Sequence, residues 1–200
     1  MKFWPMIAAG VVMLVPASVA TADFGELDNT ATSTKPANRI QNATPMADPP
    51  PPQTSAESVQ ILALVNNERT SRGLSPMRLD VSLNDAAQGH SAAQASAGSI
   101  YHIAPDGSSP GDRIARSGYQ FSTWGENVAA GYRDAGAVMA AWMRSPGHCR
   151  NILNPAFTEL GVGYVERTND PSRFFDYWTQ VFARPKGEPQ PPGSYNPAWC

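Results

Sequence analysis

Three polar side chains stand in local settings that hold a functional group at a fixed point: His102, Glu126 and His148. His102 follows Tyr101 and precedes the turn-forming run Pro105-Asp106-Gly107. Glu126 follows Gly125, whose missing side chain lets the backbone bend or approach a neighbour closely. His148 follows Pro146-Gly147, read as a turn. Two neutral imidazoles and a carboxylate form a sound set for a divalent cation, Zn²⁺ or Mg²⁺, with an open position for water. The same trio suits general acid/base work. The histidines stand 46 positions apart, so their spacing is no local metal motif. Asn127 and Ser145 are expected in the same cleft, behind the trio and supporting it.

Rival chemistries are weaker. Ser145, His148 and Glu126 have the residue types of a hydrolytic triad, but the chain has no Gly-x-Ser-x-Gly elbow, and Ser145 before Pro146 reads as a helix C-terminal residue. Lysine is confined to positions 2, 35 and 186, which excludes a Schiff-base lysine from the body of the chain. His90 lies among alanines and reads as a structural residue. Glu159 reads as a surface or strand-edge charge. The aromatics Trp124, Trp142, Trp178, Phe174, Phe175, Phe182 and Tyr164 read as core and cleft wall.

The elements that must position the trio are legible from capping and periodicity. Thr54 and Glu57 have the form of a capping box. Val59, Leu62, Val65 and Arg69 then share a helical face, and Gly73 ends that helix. Asp80 opens a second helix through Leu83, Ala86, Ala87, His90, Ala93, Gln94 and Ala97, stopped by Gly98. Ser109-Pro110 opens a short helix closed by Gly118, and Asp134 caps a fourth that carries Val138, Met139, Trp142 and Met143. Strands are expected over Leu160 to Val165 and Phe174 to Ala183, with Trp124 to Val128 pairing to them. Early helices and late strands predict an α+β fold, helices covering a mainly antiparallel sheet.

The ends have their own character. Lys2, the apolar run Met6 to Val15, Pro16 and Ala20-Thr21-Ala22 form a secretory leader over residues 1–22, with Ser18-Val19-Ala20 as a second cleavage choice. That run is short beside the roughly 20 apolar residues of a membrane helix. No span is therefore expected after cleavage, and the product is expected to be secreted, extracellular or periplasmic. Residues 23–54 read as a Thr/Pro-rich linker, 55–184 as one domain, and 185–200 as a Pro-rich tail. The net charge of −2 offers no electrostatic case for nucleic acid. Cys149 and Cys200 are the only cysteines. In an exported chain they form one bridge, the alternative being a buried free thiol at Cys149.

Several of these stretches together resemble the CAP superfamily, the cysteine-rich secretory, antigen 5 and pathogenesis-related-1 group, in its small bacterial form. Val65-Asn66-Asn67-Glu68-Arg69 with Gly73-Leu74 is similar to the family's opening helix and turn. Gly125-Glu126-Asn127 resembles one signature stretch, and Tyr177 to Phe182 its last strand. His148 stands thirteen residues before Gly161, the spacing around the family's second histidine. The resemblance implies a three-layer α-β-α sandwich with a cleft lined by two histidines and two acids. His102, Glu126 and His148 carry over. The second acid does not: three residues after Trp142 stands Ser145. The implied function is a monomeric, non-enzymatic binding or effector module for a cation or a polar small-molecule, lipid or cell-envelope ligand. The alternatives are an extracellular hydrolase of peptides or envelope polymer using the same cleft, and a lipid or sterol binder.

Overall fold

In the computed structural model of the protein, residues 54–200 are described. The expected leader and all but the last residue of the linker lie outside that range. Five helices and four strands follow in the order α1 (Ala56–Thr70), β1 (Arg78–Leu79), α2 (Val81–Ala97), α3 (Pro110–Arg116), β2 (Phe121–Ala130), α4 (Ala135–Arg144), α5 (Pro146–Ile152), β3 (Glu159–Glu166) and β4 (Asp176–Pro185). A 3₁₀ turn, Pro197–Trp199, follows near the end of the chain.

The sheet has the order β1-β3-β4-β2. β4 pairs antiparallel with both β3 and β2, whereas the two-residue β1 runs parallel to β3, so the sheet is mixed. Helices α2 and α3 cover one face and α1, α4 and α5 the other, which gives the α-β-α sandwich. The α1/α4/α5 side holds the larger core, built on Ile61, Val65, Trp142, Ile152, Leu160, Trp178 and Phe182. Each such side chain contributes about 1.5–3 kcal/mol on burial.

The opposite layer is packed differently. Gly161 and Gly163 face α2 so closely that a Cβ on Gly161 would overlap the Leu83 carbonyl group, and one on Gly163 that of Ala87. α2 therefore lies directly on β3, and its small residues Ala86 and Ala87 permit the approach. From that position Asn84 accepts from the Val162 amide (2.9 Å), and Gln88 bonds both the amide and the carbonyl of Tyr164 (2.9 and 3.0 Å). These amides satisfy β3 backbone groups beyond the reach of the short β1. The other edge, β2, is covered likewise: Asn151 donates to the Glu126 carbonyl and Trp142 Nε1 to that of Val128. Both devices blunt an edge that would otherwise invite another strand.

Local expectations fare unevenly. Asp80, Ser109 and Asp134 cap α2, α3 and α4, and Gly98 closes α2 at φ +63°. For α1 the cap is Ser55 rather than Thr54, with Ser55 Oγ accepting from the Ser58 amide. The register that buries Ser58, Ile61, Val65 and Arg69 turns Val59 outward, 52% exposed. β4 starts at Asp176; Phe174 and Phe175 belong to the preceding turn, where Phe175 has φ +65°. Pro146-Gly147 opens helix α5 rather than a turn, because Pro suits the first helical position. Glu159 is 7% exposed, not a surface charge, since β1 and Tyr119 close over it.

Cys149 and Cys200 form the disulfide, with Cα atoms 5.8 Å apart. The bridge closes 51 residues of chain, worth about 4 kcal/mol in the loop-entropy picture. It ties the tail to α5, where Tyr195 and Trp199 pack against the larger core.

Candidate functional site

The site lies at the outer edge of β2, where elements from both helical layers meet. Glu126 is the centre. Its strand position opposite Val181 aims it at the α2/α3 side, and its side chain is 1% exposed. One oxygen receives His102 Nδ1 at 2.8 Å; the other receives Arg113 Nη2 at 2.7 Å. A buried carboxylate needs both, since desolvation without partners is strongly unfavourable.

Arg113 also donates to the carbonyls of His102 (3.0 Å) and Ser108 (3.0 Å). It therefore pins the loop that presents His102 as well as the carboxylate that orients it. From the other side, His90 Nε2 (2.8 Å) and Gln94 Nε2 (3.0 Å) bond the Tyr101 carbonyl. His90 Nε2 lies 3.8 Å from Glu126 Oε1, and its Nδ1 is buried without a partner. Burial pushes the His90 pKa down, and the negative charge of Glu126 offsets only part of that. His90 is the packed structural histidine that its Ala-rich surroundings suggest, 1% exposed and bonded to the loop that carries His102. Arg113 belongs to the site without a sequence signal, since it stands in a two-turn helix whose local pattern does not name its target.

His148 approaches from the other layer on α5 and is half-buried. Burial, then the charge of His102, lowers its pKa. Asn127 is fully buried rather than lining a cleft. It donates to the His148 carbonyl (3.2 Å) and to Gln180 Oε1 (3.0 Å), and it accepts from Asn151 (2.9 Å). Its work is to fix α5 against β2. Gly125 serves the same end: a Cβ there would meet the Phe157 ring at 2.9 Å. Arg69 adds the last brace. Buried in α1, it donates to the carbonyls of Ile152, Asn154, Phe157 and Ser75, and burial brings its pKa down to about 10.

Ser145 sits at the α4–α5 junction, and its side chain makes no helix-capping bond. Glu126 is bonded to His102 and Arg113, not to His148, so Ser145, His148 and Glu126 do not form a connected triad. The three-ligand cation set expected of His102, His148 and Glu126 does not assemble either. Among the described residues no three His, Cys, Asp or Glu side chains converge as a metal site. Both Glu126 oxygens are already engaged, one by His102 and the other by Arg113. Two imidazole nitrogens remain, with Glu126 behind His102 as its orienting carboxylate. That donor set suits a borderline ion such as Zn²⁺ and is poor for the oxygen-seeking Mg²⁺. In the tautomer whose Nδ1–H donates to Glu126, the lone pair of His102 Nε2 is left to accept a donor hydrogen or a cation.

Relatives share this architecture. At 35% identity over 167 residues, the chain matches the Bacillus subtilis (strain 168) protein named "Uncharacterized protein YkwD", covering 84% of this chain and 61% of that one. It matches the "Uncharacterized membrane protein YlbC" of the same organism at 34% identity, over 63% of this chain and 36% of that one. The chain thus spans less than two thirds of either relative. Among solved structures, an extracellular protein containing an SCP domain from Bacillus anthracis str. Ames superposes with a TM-score of 0.57 at 34% identity, covering 63% of this chain and 39% of that one. An outer surface protein from Borrelia burgdorferi superposes at 0.61 and 21% identity, over 67% and 96% of the two chains, and attests the fold alone. A profile of the cysteine-rich secretory protein family matches residues 62–182, from within α1 to within β4 and across every residue of the cleft. The chain belongs to that family, CAP.

Proposed function

We propose that this CAP domain is an exported, non-enzymatic binding module whose cleft holds a polar group of its ligand between His102 and His148. The observation that carries this reading is the Arg113–Glu126–His102 chain of bonds. It spends two buried charges on orienting one half-exposed imidazole, whose Nε2 is free. Export is supported by the leader-like N-terminus, by the disulfide and by the extracellular SCP-domain relative. No helix of the described residues is long and apolar enough to cross a membrane.

The ligand group is a cation of the zinc type or a hydrogen-bonding polar group. Calorimetry with Zn²⁺ and with Mg²⁺ on wild type and on His148→Ala separates these. Zinc heat in the wild type, lost in the variant and absent with magnesium, supports a two-nitrogen cation site. Equal heats in both proteins remove the cation from the reading. Export is checked by the mass of the mature protein, expected to begin at Asp23.

A further inference from the structure

A second site lies away from the histidine cleft, at the turn between β3 and β4. Arg133, Tyr164, Glu166, Thr168, Phe175 and Asp176 line an open groove of about 480 Å³. That volume is within the usual range for small-ligand sites.

Phe175 is the unusual member. It has φ +65°, a region that bulky residues avoid, yet the residue is 38% exposed. Core packing does not account for such a residue in such a conformation. The turn is nevertheless built to hold it. The buried Asp170 carboxylate accepts from the amides of Ser172 (3.0 Å), Phe174 (2.9 Å) and Phe175 (2.9 Å) and from the Tyr177 hydroxyl (2.7 Å). Burial alone would raise the Asp170 pKa; these four bonds bring it down to about 2. The Phe175 carbonyl accepts from the Arg167 amide at 2.6 Å. Strain held this firmly at an exposed aromatic is a mark of binding sites.

The charges of the groove fit one chemistry. Arg133 and Glu166 are both exposed and line the same groove, yet neither forms an ion pair within 4.0 Å among the described residues. Asp176 lies beside them, held by the Tyr164 hydroxyl at 2.8 Å. Tyr164 is itself braced on Trp178, ring centroids 4.2 Å apart. Carboxylates beside aromatic faces attract an ammonium group. A guanidinium across the groove offers a fork for a carboxylate.

We propose that this groove binds a short zwitterionic peptide, with its ammonium between Glu166, Asp176 and the rings of Tyr164 and Phe175, and its carboxylate on Arg133. The site is independent of the histidine cleft.

The test is an NMR titration of the ¹⁵N-labelled full chain with three probes: Ala-Ala, its C-terminal amide and its N-acetyl form. Ala-Ala is expected to shift the amides around Arg133 and Phe175, and each capped form to bind about tenfold more weakly, the size of one lost charge contact. Arg133→Ala should weaken Ala-Ala and the N-acetyl form while sparing the amide; Glu166→Gln should do the reverse. His148→Ala should change none of these. Phe175→Gly should lose the binding while its melting temperature stays level or rises by roughly 2–4 °C, since glycine adopts positive φ freely. Equal binding of all three probes, or shifts confined to the histidine cleft, overturns the proposal. So does a Phe175→Gly melting temperature several degrees lower, which would make the ring a packing residue.

Discussion

Glu126 and Glu159 are two versions of one device. Both lie on the α2/α3 face of the sheet, flanking β4 from opposite sides, beside Val181 and Ala183. Each is buried and each meets an arginine: Arg113 Nη2 at 2.7 Å for Glu126, Arg78 Nε at 2.8 Å for Glu159. They differ in the third partner. Glu126 takes His102, 42% exposed at its side chain. Glu159 takes the buried Tyr119 hydroxyl, whose pKa burial and then this bond push far above the ordinary range. Tyr119 stays a neutral donor at every physiological pH and faces no solvent. Arg78 is drawn outward to Glu188 of the tail, at 2.8 Å. Burial and ion pairing alone therefore do not make a site. The distinguishing feature is a partner that is exposed and has a second ring nitrogen left to bond a ligand.

The comparison breaks hardest at Arg113. Its side chain is 11% exposed, and among the described residues it is the only cation within salt-bridge reach of Glu126 besides the two histidines. Arg113→Met leaves a buried carboxylate without its charged partner and is expected to lower unfolding free energy by about 3 kcal/mol in urea titration. It should also abolish ligand binding in the cleft, because the His102 loop loses its anchor. A loss under about 1 kcal/mol would show that water reaches Glu126 and that the site is looser than its geometry.

Acid sharpens the contrast. Two histidines on the Glu126 side of the comparison, His90 beside the carboxylate at 3.8 Å and His148 on α5, have pKa values lowered by burial, and Glu159 has no histidine among its bonded partners. Lowered folded pKa values mean that the unfolded chain binds protons first. Stability is then full above the unfolded value of about 6.5 and falls as pH drops toward the folded values. The expected slope approaches roughly 1.4 kcal/mol per pH unit for each histidine. Melting curves between pH 7 and 5 measure it. His90→Gln should remove part of the slope, and an unchanged slope would place the proton elsewhere.

How much of this pair was legible follows from the type of signal each residue sends. Glu126 stands in a local stretch, Gly125-Glu126-Asn127, that resembles a known pattern, and the helix caps Asp80, Ser109 and Asp134 are local too. Glu159 depends on contacts that no window contains. Its arginine sits on a two-residue strand, too short for any periodicity, and its tyrosine is 40 residues away. Arg113 is hidden for the same reason: its target lies on another element. Asn127 has the supporting place expected of it, but on the opposite face from Glu126, since alternation along β2 sends neighbouring side chains to opposite faces. Its bonds to α5 depend on packing that sequence spacing does not encode.

The smaller effects fall on the Glu159 side and on the exposed partners. Tyr119→Phe removes a buried donor and is expected to cost about 1–2 kcal/mol by urea titration, with cleft binding unchanged. His102→Ala is its mirror image: a similar loss of about 1–2 kcal/mol, since it leaves one oxygen of the buried Glu126 without its donor, but with loss of cleft binding by calorimetry.

The smallest effect is expected at Arg78. Its bond to Glu159 is nearly as short as Arg113's to Glu126, yet its side chain is 57% exposed. Water screens the pair and can replace the guanidinium once it is gone, while Tyr119 still holds the carboxylate. Arg78→Ala should therefore cost no more than about 0.5–1 kcal/mol, part of it through the released Glu188. If it instead matches Arg113→Met in urea, then distance, and not exposure, governs these pairs. Glu159 would then be as dependent on charge as Glu126, and what separates the two carboxylates would reduce to the histidine alone.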